Sequence, residues 1–562
     1  MKLRVLCSVI SAFAFAAVAG AQTADDINFN TTYQTIRGYG TSTAWQPVLN
    51  STQANNLFGT GAGQVGLTIL RSRIDPSSTT GGSNWATELA NGKQAQSINS
   101  QVIVFATPWT PPAVWKSNGS VDDGTLNTSD YDNFANYLNA FVAYEKAGGV
   151  NLYAISVQNE PDYLPDYESC GYTGAQMDAF IAKEGSKITT KLMMPESDTF
   201  NTSESDPTLD DSSAVGYVSI VAGHTYGTTP FYYTNAKNKG KDVWMTEVTY
   251  TPAAGSSAQP TISDAISAAE LYHQSMAVAQ YNAYVYWWTP LLLNGNSPNY
   301  YAYALGQYSK FVRPGYVMTG ANNNPTSGVY VTSYKGNNNY VIVAVNANSG
   351  ASNISFPITG ATLTSVTPYQ TSASNQLAQL SAVSVSNDTF TYSLPGKSIT
   401  TFVGTGSSGG GGGGGALDID AGGAASGSWA ADEDFSGGTA LTYTNAVSTS
   451  LLSGTAPPQT VLQSQRYGSF TYTIPGYTSG SSHTVTLYFV ENYVTGTGQR
   501  EFNVLINGTQ ELSNYDVYAA AGGQFKAVEK SFTTTANSSG DIVIEFSPGA
   551  VQSPMVSGIA IQ

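Results

Sequence analysis

The sequence predicts an α/β chain: a (β/α)8 barrel with an attached β-sandwich, followed by a separate C-terminal all-β sandwich. Three observations predict it. Apolar, strand-like runs alternate with helical stretches through the first half of the chain. From residue 329 the runs become short and rich in β-branched and aromatic residues. A run of glycines, Gly409 to Gly415, has no side chains to bury and divides the chain into two independently folding parts. At 562 residues the chain exceeds the usual size of one hydrophobic core, so two or three domains are expected.

Taken in order, residues 1–21 have the pattern of a secretory signal: Lys2 and Arg4 at the start, an apolar run, then Ala19-Gly20-Ala21 as the small-residue cleavage pattern. Secretion is expected. Residues 22–35 are assigned with 313–404 to the side sandwich. The barrel is placed at 36–312, with strand runs at 66–74, 101–106, 152–157, 219–223, 242–245 and 283–288 and helical spacing at 131–145, 175–190 and 261–279. About eight such βα units fit in roughly 270 residues, which suggests a closed barrel. Residues 329–332, 340–345 and 398–403 supply strands of a small antiparallel sandwich. A glycine-rich linker is placed at 405–416, and strand-like alternation with turn signals fills 417–562.

Composition narrows the partners. Only 11% of residues are charged, the formal net charge is −16, and Asp and Glu outnumber Lys and Arg by 38 to 22. No segment clusters basic residues as a phosphate-binding surface requires, so no nucleic-acid partner is expected. No apolar run after the signal is long enough to span a bilayer, so no membrane association is expected either. With the signal removed, Cys170 is the only cysteine and no intramolecular disulfide can form. His224, His273 and His483 are scattered without ligand spacing, so no metal and no cofactor is expected. The 36 tyrosines and 8 tryptophans suit stacking against sugar rings.

Two glutamates each come directly after a strand-like run: Glu160 in Ile155-Ser156-Val157-Gln158-Asn159-Glu160-Pro161-Asp162, and Glu247 in Val243-Trp244-Met245-Thr246-Glu247. A barrel brings the C-terminal ends of all its strands to one face, where two distant carboxyl groups can meet. Glycoside hydrolysis uses such a pair, and about 5 to 5.5 Å between them corresponds to retention of configuration. An isolated glutamate at such a position more often caps a βα turn; two at matching strand ends favour chemistry. On this reading one of the two starts protonated, through burial or the charge of its neighbour, and the other stays ionised.

Five motifs in order carry a resemblance: Ile36-Arg37-Gly38-Tyr39-Gly40, Ala106-Thr107-Pro108-Trp109-Thr110-Pro111-Pro112, the Glu160 and Glu247 segments, and Ser309-Lys310-Phe311-Val312-Arg313-Pro314-Gly315. Together, over residues 25–404, they resemble glycoside hydrolase family 30, and most of all its xylanase branch. The resemblance implies a barrel with a side sandwich, a retaining reaction, and Glu160 and Glu247 as acid/base and nucleophile. It also implies that Tyr226, in His224-Thr225-Tyr226, touches the nucleophile. Asn159 is expected at the sugar 2-hydroxyl. Arg71 or Arg73, alternating on an early strand, is expected to steady Glu247. Trp109, Trp115, Trp287 and Trp288 lie at or past predicted strand ends as candidate sugar platforms, with one of Trp287 and Trp288 facing inward, and Tyr250 is counted with them as a substrate contact.

Glucuronoxylanases of this branch carry basic residues after the tryptophans of the eighth strand, where an arginine reads a glucuronic acid carboxylate. Here Thr289-Pro290-Leu291-Leu292-Leu293-Asn294-Gly295 contains none. The expected activity is therefore that of a retaining endo-β-1,4-xylanase, acting as a monomer on xylan or a related plant cell-wall polysaccharide without needing that branch. A glucuronoxylanase, a β-1,6-glucanase or galactanase, and a catalytically silent carbohydrate-binding protein are the alternatives. Residues 417–562 are similar to malectin-like carbohydrate-binding domains, with Tyr467, Tyr488 and Tyr493 as candidate ring platforms.

Overall fold

The computed structural model describes residues 23–562 apart from 78–82, 337–338, 409–416, 425, 427–428, 433, 455, 475–476, 478–479 and 538–540. The expected signal segment and the glycine run lie outside the described residues. The chain divides into two compact units, the first ending near residue 404 and the second covering 405–562.

In the first unit, eight parallel strands close into a barrel: β1 (Gly38–Ser42), β2 (Ile69–Ile74), β3 (Ile103–Pro108), β4 (Leu152–Ser156), β5 (Lys191–Ser197), β6 (Val218–His224), β7 (Asp242–Glu247) and β8 (Ala283–Tyr286). Strand β8 pairs with both β7 and β1, which completes the ring. Between them run helices α1 (Ser51–Phe58), α2 (Ser83–Ile98), α3 (Tyr131–Ala147), α4 (Gly174–Glu184), α5 (Asp206–Asp210), α6 (Thr234–Asn238) and α7 (Ile262–His273), with α8 (Tyr300–Ser309) after β8. Helices α1, α4 and α7 begin with capping boxes, at Asn50/Gln53, Thr173/Gln176 and Thr261/Asp264. Helix α4 stops at Glu184 before Gly185, short of the expected 190, and α7 gives way to a π-helical turn at Gln274–Val278, so the long helices expected there are shorter.

The strands are buried on both faces, which is why they read as apolar runs rather than as alternation. Their inner faces separate by height. Ile69, Phe105, Ala154, Met193, Ile220, Trp244 and Ala283 form one apolar plug inside the barrel, while Arg71 and Arg73 come after Ile69 at period two on β2. The apolar layer thus supports a charged one at the C-terminal mouth. Two irregularities shape that mouth. The β5–β6 register passes from Pro195↔Ala222 to Ser197↔Gly223, leaving Glu196 as the extra residue. The β6–β7 register passes from Gly223↔Met245 to His224↔Glu247. Such bulges re-aim side chains beside active sites.

The side sheet runs through Ser352–Thr359, Ile27–Thr35, Val317–Gly320, Val329–Gly336, Asn339–Asn346, Ser398–Ser408 and Ser365–Thr371. It is not wholly antiparallel as expected: Ser352–Thr359 pairs parallel with Ile27–Thr35, because the N-terminal strand enters from the other end of the sheet. Strand Ser398–Ser408 also runs past the expected start of the linker at 405. In the motif 309–315, Arg313 donates to the carbonyls of Gly66 and Ser309, so it ties α8 to the chain before β2.

The second unit is built from two sheets. One orders Leu417–Asp420, Gly558–Ile561, Ser482–Val490 and Ala527–Thr535; the other orders Phe435–Thr442, Ser464–Ile474, Ile542–Val551, Glu501–Ile506 and Thr509–Tyr515. Ile419, Leu487 and Ile559 of the first meet Tyr472, Val504 and Ile544 of the second in one buried cluster, as an all-β sandwich requires. Among the described residues no helix is long and apolar enough to cross a membrane.

Between α2 and α3 lies a pair of buried acids. Both carboxylate oxygens of Glu145 are buried without a hydrogen-bond partner, and Glu88 accepts from the Thr43 hydroxyl at 2.6 Å, with the Arg73 backbone and the Ser72 hydroxyl also beside it. Burial, with the neighbouring Glu88, raises the Glu145 carboxyl to about 8, and burial raises Glu88 to about 7 against the Thr43 hydroxyl. The folded chain therefore keeps these protons where the unfolded chain has lost them. Their contribution to stability is complete below the ordinary glutamate value and is lost as pH rises through about 7 to 8. Thermal unfolding should show Tm falling by about 5 °C or more between pH 6 and pH 9, and Glu145→Gln should flatten that slope. An unchanged slope in the variant would remove Glu145 as its source.

Candidate active site

At the barrel mouth, β4, β5, β6 and β7 deliver Glu160, Glu196, His224 and Glu247 to one place. A carboxylate oxygen of Glu160, a ring nitrogen of His224 and a carboxylate oxygen of Glu247 lie within 4.8 Å of one another. The sequence expectation that two distant acids converge is met by this geometry. Both are almost fully buried, yet both line an open cleft of about 1020 Å³.

The two acids have different partners. Arg71 ion-pairs with Glu247 Oε2, and the Tyr226 hydroxyl donates to Glu247 Oε1 at 2.9 Å. Glu160 Oε1 is 2.8 Å from His224 Nδ1. Its backbone sits in the left-handed region, φ 43°, and its amide donates to the Glu196 carbonyl at 2.9 Å. A glutamate held there is strained, and such strain persists only where the surroundings impose it. Burial raises the Glu247 carboxyl; His224 and Arg71 oppose the rise and Glu160 adds to it. Burial also disfavours charge on His224, but Glu247, Glu160 and Glu196 outweigh it and hold the imidazole up to about 10, as a cation. Burial and the Glu247 charge push the Tyr226 phenol far up, so it remains a donor.

Of the two arginines on β2, Arg71 is the one at the acids; Arg73 turns to Asp75 and Glu168 and lies 4.9 Å from the Trp45 ring. Asn159 is oriented by Arg71, whose Nη2 donates to Asn159 Oδ1 at 2.6 Å. Trp109 lines the cleft with Arg71 over its ring at 4.5 Å. Trp287 and Trp288 both line the cleft with nearly parallel rings, and neither turns away. Strand β8 ends at Tyr286, so strict alternation does not reach them.

Three expectations fail. Trp115 does not line the cleft with the two acids; its ring packs on Tyr137, on the side where α3 covers the barrel. Tyr250 points behind β7 and β8, against Tyr272, Tyr286 and Tyr301 with its hydroxyl on that of Tyr284, so it fills core rather than the cleft. In the second unit Tyr488 is buried against Trp429 and offers no platform. Tyr493 is 66% exposed and Tyr467 is half-buried, so both remain available.

Sequence reasoning missed the cleft residues Trp45, Tyr163, Tyr167 and Asp198, all on loops, and above all three residues buried beneath the cleft: Glu196, His224 as a partner of Glu160, and Thr107. Glu196 ion-pairs with Arg71 at 3.1 Å and accepts from Thr107 Oγ1 at 2.8 Å. Although Glu160, His224 and Glu247 could geometrically approach one cation, each already has a partner in the site: Glu160 with His224, Glu247 with Arg71 and Tyr226.

The chain is 35% identical over 392 residues to the glucuronoxylanase XynC of Bacillus subtilis, a match covering 67% of this chain and 90% of that protein. The chain belongs to glycoside hydrolase family 30. It is a glycoside hydrolase, and the profile described as the glycosyl hydrolase family 30 TIM-barrel domain matches residues 83–297. Among family 30 structures, the subfamily 8 xylanase Xyn30A from Clostridium acetobutylicum superposes with a TM-score of 0.64 at 40% identity, covering 68% of this chain and 99% of that one. A family 30 endoxylanase from Clostridium papyrosolvens gives 0.63 at 37% identity, over 68% of this chain and 100% of that one. Residues 416–559 match the malectin domain, so this family 30 chain carries a second module beside its barrel unit.

Proposed function

We propose that the chain is a secreted endo-β-1,4-xylanase that cleaves with retention of configuration, with Glu247 as nucleophile and Glu160 as acid/base. The observation that carries the proposal is the short separation of two carboxylates with unequal partners. Two acids this close favour one shared proton over none. The Arg71 ion pair and the Tyr226 donor make Glu247 the seat of the negative charge, which leaves Glu160 to carry the proton. Glu247 attacks the anomeric carbon while Glu160 protonates the departing oxygen. The ester then removes the Glu247 charge, Glu160 takes a proton from water, and that water displaces Glu247. With Oε1 of Glu160 held by His224, the other oxygen is left to face the leaving group.

The xylan-active relatives support the polymer, and the charged start and apolar run of residues 1–21 support export. Independence from glucuronic acid branches is supported by the cleft lining: it includes Asp122, Glu160, Glu168, Asp198 and Glu247 and, among the described residues, no Lys or Arg. Such a cleft repels an acidic branch rather than reading it. The malectin domain is proposed to hold the enzyme on the polysaccharide through Tyr467 and Tyr493, raising local substrate concentration. The test is a comparison of kcat/KM on glucuronoxylan and on unbranched xylan, with mass spectrometry of the released oligosaccharides. Values within about tenfold are expected, because a lost ion-pair contact to the branch would have to exceed about 1.4 kcal/mol to matter more. A preference for the branched polymer of 100-fold or more would overturn branch independence, and products from β-1,6-glucan alone would overturn the xylanase.

A further inference from the structure

Glu196 is fully buried, with no exposure to solvent, and stands in the left-handed region at φ 56°. Its side chain meets elements from both sides of the mouth. Oε1 lies 3.1 Å from Arg71 Nη2 and 3.8 Å from His224 Nε2, and Oε2 accepts from Thr107 Oγ1. Arg71 in turn holds Glu247, and His224 holds Glu160. The main chain adds a third link, since the Glu196 carbonyl accepts the Glu160 amide that closes its strained turn.

We propose that Glu196 is a positioning residue for the reaction: one buried charge couples Arg71 on the nucleophile side to His224 on the acid/base side, so both acids are oriented and charge-tuned together. The proposal rests on the assignment of Glu160 and Glu247 made above. Burial alone would neutralise Glu196, yet Arg71 and His224 hold its carboxyl down at about 2. The ionisable groups facing this cluster are Arg71 from β2, Glu160 beyond β4, Asp198 beyond β5, His224 and Tyr226 from β6 and its loop, and Glu247 from β7. Besides Glu196 the cluster holds the carboxyl groups of Glu160, Asp198 and Glu247 against the two cations Arg71 and His224, and removing Glu196 takes one buried negative charge from among them. Every remaining acid then sits in a less negative field, and His224 loses one of the carboxyl groups that keep it charged. The direction is fixed: all these groups should give up protons at lower pH.

The decisive variant is Glu196→Gln, which keeps the shape and the backbone carbonyl and removes only the charge. Expected are a fall in kcat of about 100-fold with KM within about threefold, and both limbs of the kcat/KM–pH profile displaced downward by about one unit. Glu196→Asp restores the charge and should return the limbs to the parent positions even where kcat stays low. A merely structural role lowers kcat or Tm and leaves the limbs where they were; that outcome overturns the proposal. A second measurement is read on the parent enzyme, with a variant used only to assign the signal. The chain has three histidines, so ¹⁵N-histidine labelling gives a readable spectrum of the full-length enzyme. One histidine should remain doubly protonated well above neutrality, toward about 10, and it should be the resonance that disappears in His224→Gln. A neutral His224 at pH 7 overturns the proposal. If Glu160→Ala and Glu247→Ala retain parental activity, the assignment of the acids has failed; if they are inactive while the Glu196→Gln limbs stay put, only the coupling has failed.

Discussion

Glu247→Ala is expected to lose xylan hydrolysis by about 10⁴-fold or more, because the variant lacks the atom that bonds to the anomeric carbon. The fold should survive the change. Arg71 would lose one anion but keep Glu196 at 3.1 Å, so no unpaired buried charge is created. Azide distinguishes the nucleophile from every other role. The vacated space retains two donors, Arg71 and the Tyr226 hydroxyl, and a small anion held there attacks the sugar from the face that Glu247 used. On an aryl xylobioside with an activated leaving group, the product should be the α-glycosyl azide, of inverted configuration, identified by its anomeric proton coupling in NMR. The β-azide from this variant would exchange the roles of the two glutamates. Full activity without azide would place the chemistry elsewhere.

Most of the barrel was legible because its strands are buried on both faces and its helices are amphipathic, so burial left a period in the sequence. Two strands escaped, β1 and β5, and β5 is the one that carries a site residue. Leu192-Met193-Met194-Pro195-Glu196-Ser197 has the same form as the runs before Glu160 and Glu247, an apolar stretch ending in an acid. Pro195 argues against a central strand, since proline cannot donate to the ladder. In the structure the proline sits at the bulge, where the ladder is already interrupted. One residue past that proline stands Glu196, the third carboxylate of the site. His224 was visible but was weighed only as a metal ligand, and its role depends on a neighbour 64 positions away that no local pattern reports. Trp115 and Tyr250 failed for a related reason. Proximity to a strand end does not fix direction, and an aromatic ring one turn along the chain can pack behind the sheet as readily as over its mouth. Trp45 and Tyr167 lie on loops, where spacing carries no information about which face they reach.

Glu160→Ala should behave differently on two substrates, and that difference is its signature. On xylan the departing oxygen is a poor leaving group and needs the proton, so kcat/KM is expected to fall by about 10² to 10⁴-fold. On an aryl xylobioside whose phenol leaves without protonation, ester formation at Glu247 should proceed at nearly the parent rate and kcat/KM should change by less than about tenfold. The second step still needs a base to activate water, so kcat falls and the ester accumulates. A pre-steady-state burst of about one phenol per enzyme should then appear, and mass spectrometry of the quenched protein should find the added xylobiosyl mass on the peptide containing Glu247. Azide should release the ester as the β-glycosyl azide, because it attacks from the face that water uses. The alkaline limb of the kcat/KM–pH profile, which reports loss of the catalytic proton, should disappear on the activated substrate and nowhere else. Equal losses on both substrates would mean that Glu160 orients the chain rather than transfers a proton.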